Sequence, residues 1–231
     1  MKKITKLIVA VDVDNFVKAK ILIKKLYPMV KIFKVGSHLF TNCGPKIIKY
    51  INGLGAKVFL DLKYYDIPSV VASAVKEAAR LNVFMVDMHA SGSSGMIKEV
   101  LKTVKSIKKK PIILGVTVLT SFTQKDLKQL GIDRSINNQV LTLARNALKL
   151  GIDGVVCSPQ EISLLRKKLG NKFVVVTPGI RPYCFGDDQK RFMSPQEAAK
   201  LGADYIVIGR PIIKAADPQE EAKKIILSIK K

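Results

Sequence analysis

Residues 57–68 read KVFLDLKYYDIP, and this stretch combines a buried strand with a cluster of charges. The first part, 57–62, is a nearly continuous apolar run, typical of a parallel strand that is covered on both faces. The second part places Asp61, Lys63 and Asp66 where that strand ends. Two carboxylates and an ammonium in this position indicate either a salt-bridged strand end or a chemical site.

Apolar runs of the same kind recur along the chain, with helical patterns between them. Apolar spacing of three and four predicts helices over 15–27 and 69–82, and Ser194, Pro195 and Glu197 have the pattern of a capping box. The predicted strands cover residues 6–13, 31–36, 57–62, 83–89, 111–119, 153–158, 173–179 and 204–210.

Eight strands that alternate with helices predict an α/β fold, a (β/α)8 TIM barrel. An open doubly wound sheet is the alternative, but no G-x-G-x-x-G motif follows the first strand. We expect one domain over residues 1–231, because α/β barrels of this length are commonly single domains.

The charge of the chain is strongly basic, with 40 Lys and Arg against 18 Asp and Glu, a net +22. This balance could favour nucleic acid. However, the lysines are spread over helical segments, Trp is absent and only 6% of residues are aromatic, so surfaces for base stacking are scarce. We therefore expect no nucleic-acid partner, and an electrostatic field that attracts anionic substrates.

Cysteine usage and hydropathy predict the compartment. Cys43, Cys157 and Cys184 are odd in number and widely spaced, which is not the pattern of a disulfide framework or a zinc site. The first apolar run is too short for a signal peptide, and none approaches the length of a membrane span. We expect a soluble cytoplasmic protein with no membrane partner.

In a TIM barrel the functional groups lie at the carboxyl ends of the strands. Residues two apart on a strand face the same way, so Asp61 and Lys63 should point together, and Lys34 on the neighbouring strand can join them. In such an alternating array each charge favours the ionised form of the next. A protonated lysine in a dry site can stabilise a carbanion and then protonate it, although a structural ion-pair network would have the same pattern.

Two further turns follow the last two strands: TPGIRP at 177–182 and IGRP at 208–211. Loops at these positions of a barrel often hold a phosphate, and Arg181 and Arg210 would add charged donors. Each turn alone has a plain structural explanation, but the pair favours a phosphate site.

Together these strings resemble the orotidine 5'-phosphate decarboxylase family over nearly the whole chain. The matching strings are, in order, AVDVD, FKVGSHLF, VFLDLKYYDIP, DMHASG, LGVTVLTS, TPGIRP, DDQKR and GADYIVIGRPI. The resemblance implies a carboxy-lyase that converts orotidine 5'-phosphate to UMP, the last step of de novo pyrimidine synthesis. It also implies a homodimer without a metal or organic cofactor.

The resemblance assigns roles to matching residues. Lys63 is the expected proton donor to a carbanion-like C6, and Lys34, Asp61 and Asp66 complete the catalytic network, with Asp66 reaching the site of the partner subunit. Asp12 and Lys34 are expected at the ribose and Thr120 near the pyrimidine. The expected phosphate-binding residues are Arg181, Gln189, Gly209 and Arg210. The expected substrate-binding residues are Asp12, Lys34, Asp61, Asp66, Ile67, Thr120, Arg181, Gln189, Gly209 and Arg210.

The chain departs from the family pattern at a few positions. Tyr64 and Tyr65 stand where many relatives have a histidine, and Val70 stands where a threonine hydroxyl is usual. His89 either lines the site or makes a structural hydrogen bond, and Cys184 has no assigned role. The alternative function is a magnesium-dependent phosphosugar enzyme, such as a keto-gulonate-phosphate decarboxylase or a hexulose-phosphate synthase, whose members share a D-x-K-x-x-D-like string.

Overall fold

The computed structural model describes residues 4–182 and 193–230, and within them eight parallel strands close into a barrel in chain order. This confirms the predicted TIM barrel, and each predicted strand overlaps an observed one. The strands are β1 (Lys6–Ala10), β2 (Ile32–Gly36), β3 (Lys57–Tyr64), β4 (Met85–His89), β5 (Ile112–Val116), β6 (Gly154–Val156), β7 (Val174–Thr177) and β8 (Tyr205–Ile208).

Helices connect successive strands on the outside of the barrel. They are α1 (Phe16–Leu26), α2 (Ser37–Cys43), α3 (Pro45–Gly53), α4 (Pro68–Arg80), α5 (Ser94–Val104), α6 (Gln124–Gln129), α7 (Ile136–Leu150), α8 (Ile162–Leu169), α9 (Pro195–Leu201), α10 (Arg210–Ile213) and α11 (Pro218–Ser228), with a 3-10 turn at Pro159–Glu161. The capping box predicted for α9 is confirmed, since Ser194 and Glu197 each accept a hydrogen bond from the backbone N–H of the other.

Several strands are shorter than predicted at their carboxyl ends. Val11, Val118 and Cys157 are buried, yet they lie past the last paired residue of β1, β5 and β6. Apolar runs indicate burial rather than strand pairing, and all three side chains belong to the outer core. Val11 and Cys157 still donate backbone hydrogen bonds to Lys34 and Val176, so the neighbouring strands stay in contact just past the assigned strand ends.

Two apolar cores support the barrel. The outer core lies between strands and helices and contains most of the buried side chains. The inner core fills the barrel with side chains such as Phe59, Met85, Leu114 and Val176, all at most 2% exposed. Because side chains fill the interior, the functional groups can gather only above this plug, at the carboxyl ends of the strands.

The opposite end of the barrel carries a structural ion pair. Nη2 of Arg166 lies 2.7 Å from Oδ2 of Asp204, and the same guanidinium donates to the carbonyl oxygens of Gly202 and Phe173. Asp204 also accepts the backbone N–H of Val175 at 2.8 Å. This network ties α8 to β7 and β8. In the part of the chain that the structure describes, no helix combines the length and apolarity that a membrane span requires.

Candidate active site

Four charged side chains meet at the carboxyl ends of β1, β2 and β3. Nζ of Lys34 lies 3.1 Å from Oδ2 of Asp61, and the ammonium of Lys63 is hydrogen-bonded to Oδ1 of the same carboxylate. Nζ of Lys34 also lies 3.3 Å from Oδ1 of Asp12. The side chains of Lys34 and Asp61 are each 12% exposed. The array therefore alternates in sign, as the sequence predicts, and its centre is desolvated.

The pairing decides the protonation states of the two buried groups. Burial alone would raise the pKa of Asp61, but the charges of Lys34 and Lys63, with hydrogen bonds from Asp87 and Lys63, hold that pKa well below its usual range. Burial alone would lower the pKa of Lys34, but the neighbouring carboxylates of Asp61 and Asp12 raise it above its ordinary value. Asp61 is therefore ionised and Lys34 protonated at neutral pH.

A bulge in β3 brings Lys63 to Asp61. Leu60 pairs with Val86 and Tyr64 with Met88, so four steps along β3 match two steps along β4. Within this bulge the backbone φ of Lys63 is +50°, a left-handed conformation that lysine rarely adopts. The two side chains converge as predicted, but strand alternation is an incomplete explanation, since a bulge turns the side chain to a new direction.

A cavity of about 210 Å³ opens beside the array. Its walls come from several strand ends and are mostly apolar, with Lys34, Asp61 and Lys63 along one side and Thr120 among the other contributors. The remaining lining residues are Phe59, Val116, Val118, Leu119, Val156, Cys157, Pro178 and Val207. The cavity is therefore apolar except for Thr120 and one charged side, where two lysines and a carboxylate meet.

The end of β8 adjoins the array through Asp12. A Cβ atom on Gly209 would lie 3.4 Å from Oδ2 of Asp12 and 3.3 Å from Cβ of Ala10. Glycine therefore lets the start of α10 approach the end of β1 closely. Arg210 is the first residue of α10 and directly follows this contact, so Asp12 lies between Lys34 and the predicted phosphate end.

Asp66 and Ile67 lie outside the cluster of the single chain. Oδ1 of Asp66 accepts the backbone N–H of Ile67 at 2.6 Å, and Ile67 is 62% exposed. Among the described residues, no ion pair joins Asp66 to Lys34 or Lys63. Both residues are on the outward loop between β3 and α4.

The predicted phosphate residues are described only in part. Arg181 is 7% exposed, its Nη1 donates to the carbonyl oxygen of Ile180, and its backbone N–H donates to Met193. Arg181 and Arg210 are not among the residues that line the cavity. Gln189 and Cys184 lie outside the described residues.

His89 stands at the end of β4 beside the array. Its ring makes an edge contact with Tyr65, with centroids 5.5 Å apart. Burial, and then the charge of Lys63, lower the pKa of His89 below its usual value, so the imidazole is neutral at pH 7. Within the described ranges, no three His, Cys, Asp or Glu side chains are grouped closely enough to hold a metal ion.

Sequence reasoning assigned no role to two residues beside the array, Gly36 and Asp87; Oδ1 of Asp87 accepts the backbone N–H of Lys63. Gly36 follows Lys34 by two positions on β2 and pairs with Asp61 across the ladder. A Cβ atom on Gly36 would lie 2.9 Å from Nζ of Lys34. The signal was available in the string FKVG, where a glycine two residues after a lysine leaves room on the same face of the strand.

Comparisons with known proteins point to one family. A family model described as "Orotidine 5'-phosphate decarboxylase / HUMPS family" matches residues 5–225. The chain is 46% identical over 228 residues to an orotidine 5'-phosphate decarboxylase of Citrifermentans bemidjiense, covering 96% of this chain and 95% of the relative. A protein of the same name from Actinobacillus succinogenes is 47% identical, with 97% and 98% covered.

A solved structure is also similar to this chain in both fold and sequence. The crystal structure of orotidine 5'-phosphate decarboxylase from Lactobacillus acidophilus superposes with a TM-score of 0.88 and 36% sequence identity. The match covers 98% of this chain and 100% of that one.

The space above Gly36 generates a prediction about the array. In Gly36→Ala the new methyl group should push the ammonium of Lys34 away from Asp61. Because this ammonium is the free end of a flexible side chain, the cost in the free energy of unfolding should come from the weakened ion pair and be about 1 kcal/mol. The backbone at Gly36, with φ −90° and ψ 176°, accepts alanine without strain. Urea denaturation and a crystal structure of the variant would measure both effects.

Gly53→Ala is the matched control, because a Cβ atom there meets nothing within 4 Å. If Nζ of Lys34 keeps its 3.1 Å contact with Asp61 in Gly36→Ala, the close approach does not constrain the array.

Proposed function

The chain belongs to the orotidine 5'-phosphate decarboxylase / HUMPS family, and on this basis we propose that it decarboxylates orotidine 5'-phosphate to UMP, the last step of de novo pyrimidine synthesis. The relatives that bear this name match the chain over nearly the full length of both proteins. The observation that carries the proposal is the alternating array of Lys34, Asp61 and Lys63 on one side of an apolar cavity.

Lys63 is the proposed proton donor. Lys63 lines the cavity, and its ammonium is hydrogen-bonded to Asp61. When the bond between C6 and the carboxylate breaks, carbon dioxide leaves and the electron pair stays on C6. The ammonium stabilises that negative charge and then delivers a proton to C6, after which the lysine regains a proton from solvent.

Asp61 and Lys34 prepare this step without changing charge. Asp61 remains ionised because two ammonium groups flank it, and it holds the Nζ of Lys63 in one direction. Lys34 remains protonated between Asp61 and Asp12. A set of charges that is oriented before the substrate arrives needs no reorganisation as negative charge develops, which is the main electrostatic advantage of an enzyme site over water.

The cavity is proposed to take the pyrimidine ring. A volume of about 210 Å³ is below the usual range for a ligand site, roughly 300–1,000 Å³. The described cavity therefore fits the reacting ring better than a whole nucleotide. Its apolar walls exclude water, which strengthens the electrostatic effect of Lys63, and Thr120 is the proposed polar contact to the ring.

The ribose and phosphate are proposed to lie towards β8. Asp12 contacts Lys34 on one side and approaches Gly209 on the other, so both Asp12 and Lys34 can reach ribose hydroxyl groups. Gly209 and Arg210 begin α10 at this end, and with Arg181 and Gln189 they form the proposed phosphate site. Binding energy from the unreactive phosphate can orient the ring in the cavity.

A homodimer is proposed to complete the site. Beside Asp66, three apolar side chains are exposed: Tyr65 at 63%, Ile67 at 62% and Val70 at 47%. Such a patch is suited to burial against a second copy, which would let Asp66 enter the partner subunit's site. We further propose that the enzyme acts in the cytoplasm, uses no metal or organic cofactor, and has no nucleic-acid or membrane partner.

The role of Lys63 leads to the first functional prediction. Turnover is followed as the fall in ultraviolet absorbance of orotidine 5'-phosphate in excess EDTA. We expect the unmodified protein to be active and Lys63→Ala to lose on the order of 10²–10⁴-fold in kcat, the range for loss of a general acid. Lys57→Ala is the matched control, because Lys57 begins the same strand at the opposite end of the barrel.

Two outcomes would contradict this proposal. Substantial turnover by a folded Lys63→Ala would remove the proton-donor role. Activity that EDTA abolishes and magnesium restores, on a keto-sugar phosphate, would identify the magnesium-dependent alternative.

The phosphate assignment leads to a second prediction. A hydrogen bond to a charged group contributes about 1.5–3 kcal/mol, so Arg210→Ala should lower kcat/KM for orotidine 5'-phosphate about 10- to 150-fold. The slow reaction of the phosphate-free nucleoside orotidine should not change. Arg145→Ala, at an exposed position on α7, serves as the control. An equal loss on both substrates would show that Arg210 does not act through the phosphate.

A further inference from the structure

Asp87 is a buried carboxyl group to which the reaction assigns no role. It lies in the middle of β4 and is 1% exposed. Burial of a carboxyl group is unfavourable unless hydrogen bonds compensate. The contacts of Asp87 therefore show what this side chain does.

The first contact is with the backbone of Lys63. Oδ1 of Asp87 accepts the N–H of Lys63 at 2.8 Å. This bond falls inside the bulge, where β3 advances four residues against two of β4, so it takes the place of a ladder bond. It also secures the residue whose φ is +50°. The Asp87 side chain thus holds the backbone of Lys63 in a conformation that the local chain would not favour by itself.

The second neighbour is the side chain of Asp61. Leu60 pairs with Val86, so Asp61 and Asp87 lie side by side on β3 and β4, close enough for the two carboxyl groups to affect each other's ionisation. Two carboxyl groups can share a hydrogen bond only if one carries a proton. Among the described residues, no N–H or O–H donor reaches Oδ2 of Asp87. A proton on Asp87 supplies the missing donor and leaves the full negative charge on Asp61, between the two lysines.

The surroundings agree with a neutral Asp87. Burial, and then the charge of Asp61, raise the pKa of Asp87 well above its ordinary value, while the charge of Lys63 opposes this. The other ionisable neighbours are Tyr64 on β3 and His89 on β4 itself, and β5, on the far side, carries no ionisable residue.

We propose that Asp87 is a positioning residue for Lys63: as a neutral acid it accepts the backbone N–H of Lys63 and donates to Asp61, fixing the ammonium and its carboxylate partner from behind. This inference rests on the proposed proton-donor role of Lys63. In this arrangement a single side chain would hold the bulge at two points, at Asp61 at its start and at Lys63 within it.

Two substitutions test whether Asp87 acts through its hydrogen bonds or only by filling space. In Asp87→Asn the amide oxygen can accept from Lys63 and the NH₂ group can donate to Asp61, so kcat should stay within about fivefold of the unmodified protein. Asp87→Leu keeps the number and branching of the side-chain heavy atoms, with bulkier methyl ends, and makes neither bond; displacement of Lys63 by about 1 Å should lower kcat about 100-fold. KM should change much less, since Asp87 does not line the cavity.

Asp153→Leu is the matched control. Oδ2 of Asp153 accepts the backbone N–H of Ile113 at 2.8 Å, a bond of the same kind at the opposite end of the barrel. This variant should lose stability and keep kcat. If Asp87→Leu does not fold, Asp87→Ala makes the same comparison against Asp87→Asn.

A folded Asp87→Leu with unchanged kcat would overturn the positioning role. An Asp87→Asn variant as impaired as Asp87→Leu would overturn the neutral acid, because it would mean that a negative charge is needed at this position.

Hydrogen exchange of the Lys63 amide tests the inference independently of turnover. The amide should be protected in the unmodified protein and in Asp87→Asn, and should exchange faster in Asp87→Leu. Equal exchange in all three would contradict the backbone contact. If the unmodified protein does not decarboxylate orotidine 5'-phosphate, the proposed function fails while this measurement still decides the role of Asp87.

The proton on Asp87 has a thermal signature. Because the pKa is raised in the folded state, the unfolded chain releases this proton above about pH 4 while the folded chain keeps it. The contribution of Asp87 to the free energy of unfolding therefore decreases as pH rises. Asparagine cannot ionise. The melting temperature of Asp87→Asn, relative to that of the unmodified protein, should therefore rise between pH 4 and pH 7. If this difference in melting temperature stays constant or shrinks with pH, Asp87 is ionised in the folded protein.

Discussion

The carboxylate of Asp61, held between two ammonium groups in a desolvated strand end, is the interaction on which the rest of the site depends. Three buried or half-buried charges cost desolvation energy, and only close pairing compensates for it. The fold provides that pairing through several local features. Gly36 leaves room for Lys34, the bulge turns Lys63 inward, and the apolar plug of the barrel closes the site from below.

The two ends of the barrel carry ion pairs with different consequences. At one end the guanidinium of Arg166 donates hydrogen bonds to Asp204 and to the carbonyl oxygens of Gly202 and Phe173. These hydrogen bonds connect elements of the fold to one another. At the other end Lys63 has Asp61 as its hydrogen-bond partner and still faces a cavity. An ammonium has three donors, and Lys63 keeps capacity for a substrate. This difference favours a functional array over a purely structural one, an alternative that the sequence left open.

Much of the fold could be predicted because apolar runs and helix caps are local signals. The same reasoning found Asp12, Lys34, Asp61 and Lys63, since polar residues at strand ends stand out against apolar neighbours. It could not find the bulge, because nothing in the letters of residues 61–63 shows that the partner strand advances by only two. The contact between Asp87 and the backbone of Lys63 was missed for the same reason, since it exists only where a backbone N–H has lost its ladder partner.

The array also implies that binding and chemistry use separate charges. Within one chain, Asp12, Lys34, Asp61 and Lys63 contribute two positive and two negative charges, so together they offer an anionic substrate no net attraction. A neutral Asp87 keeps this balance, whereas an ionised one would make the array repel an anion. The proposed entry of Asp66 from a second subunit would add a further negative charge. Attraction must then come from other groups: the net charge of +22 over the whole chain steers anions towards the protein, and Arg210 stands beyond Asp12 at the far end of the site. In the proposed reaction, the ammonium of Lys63 would stabilise the charge that develops at C6, and the proposed phosphate end would supply the energy that holds the substrate there.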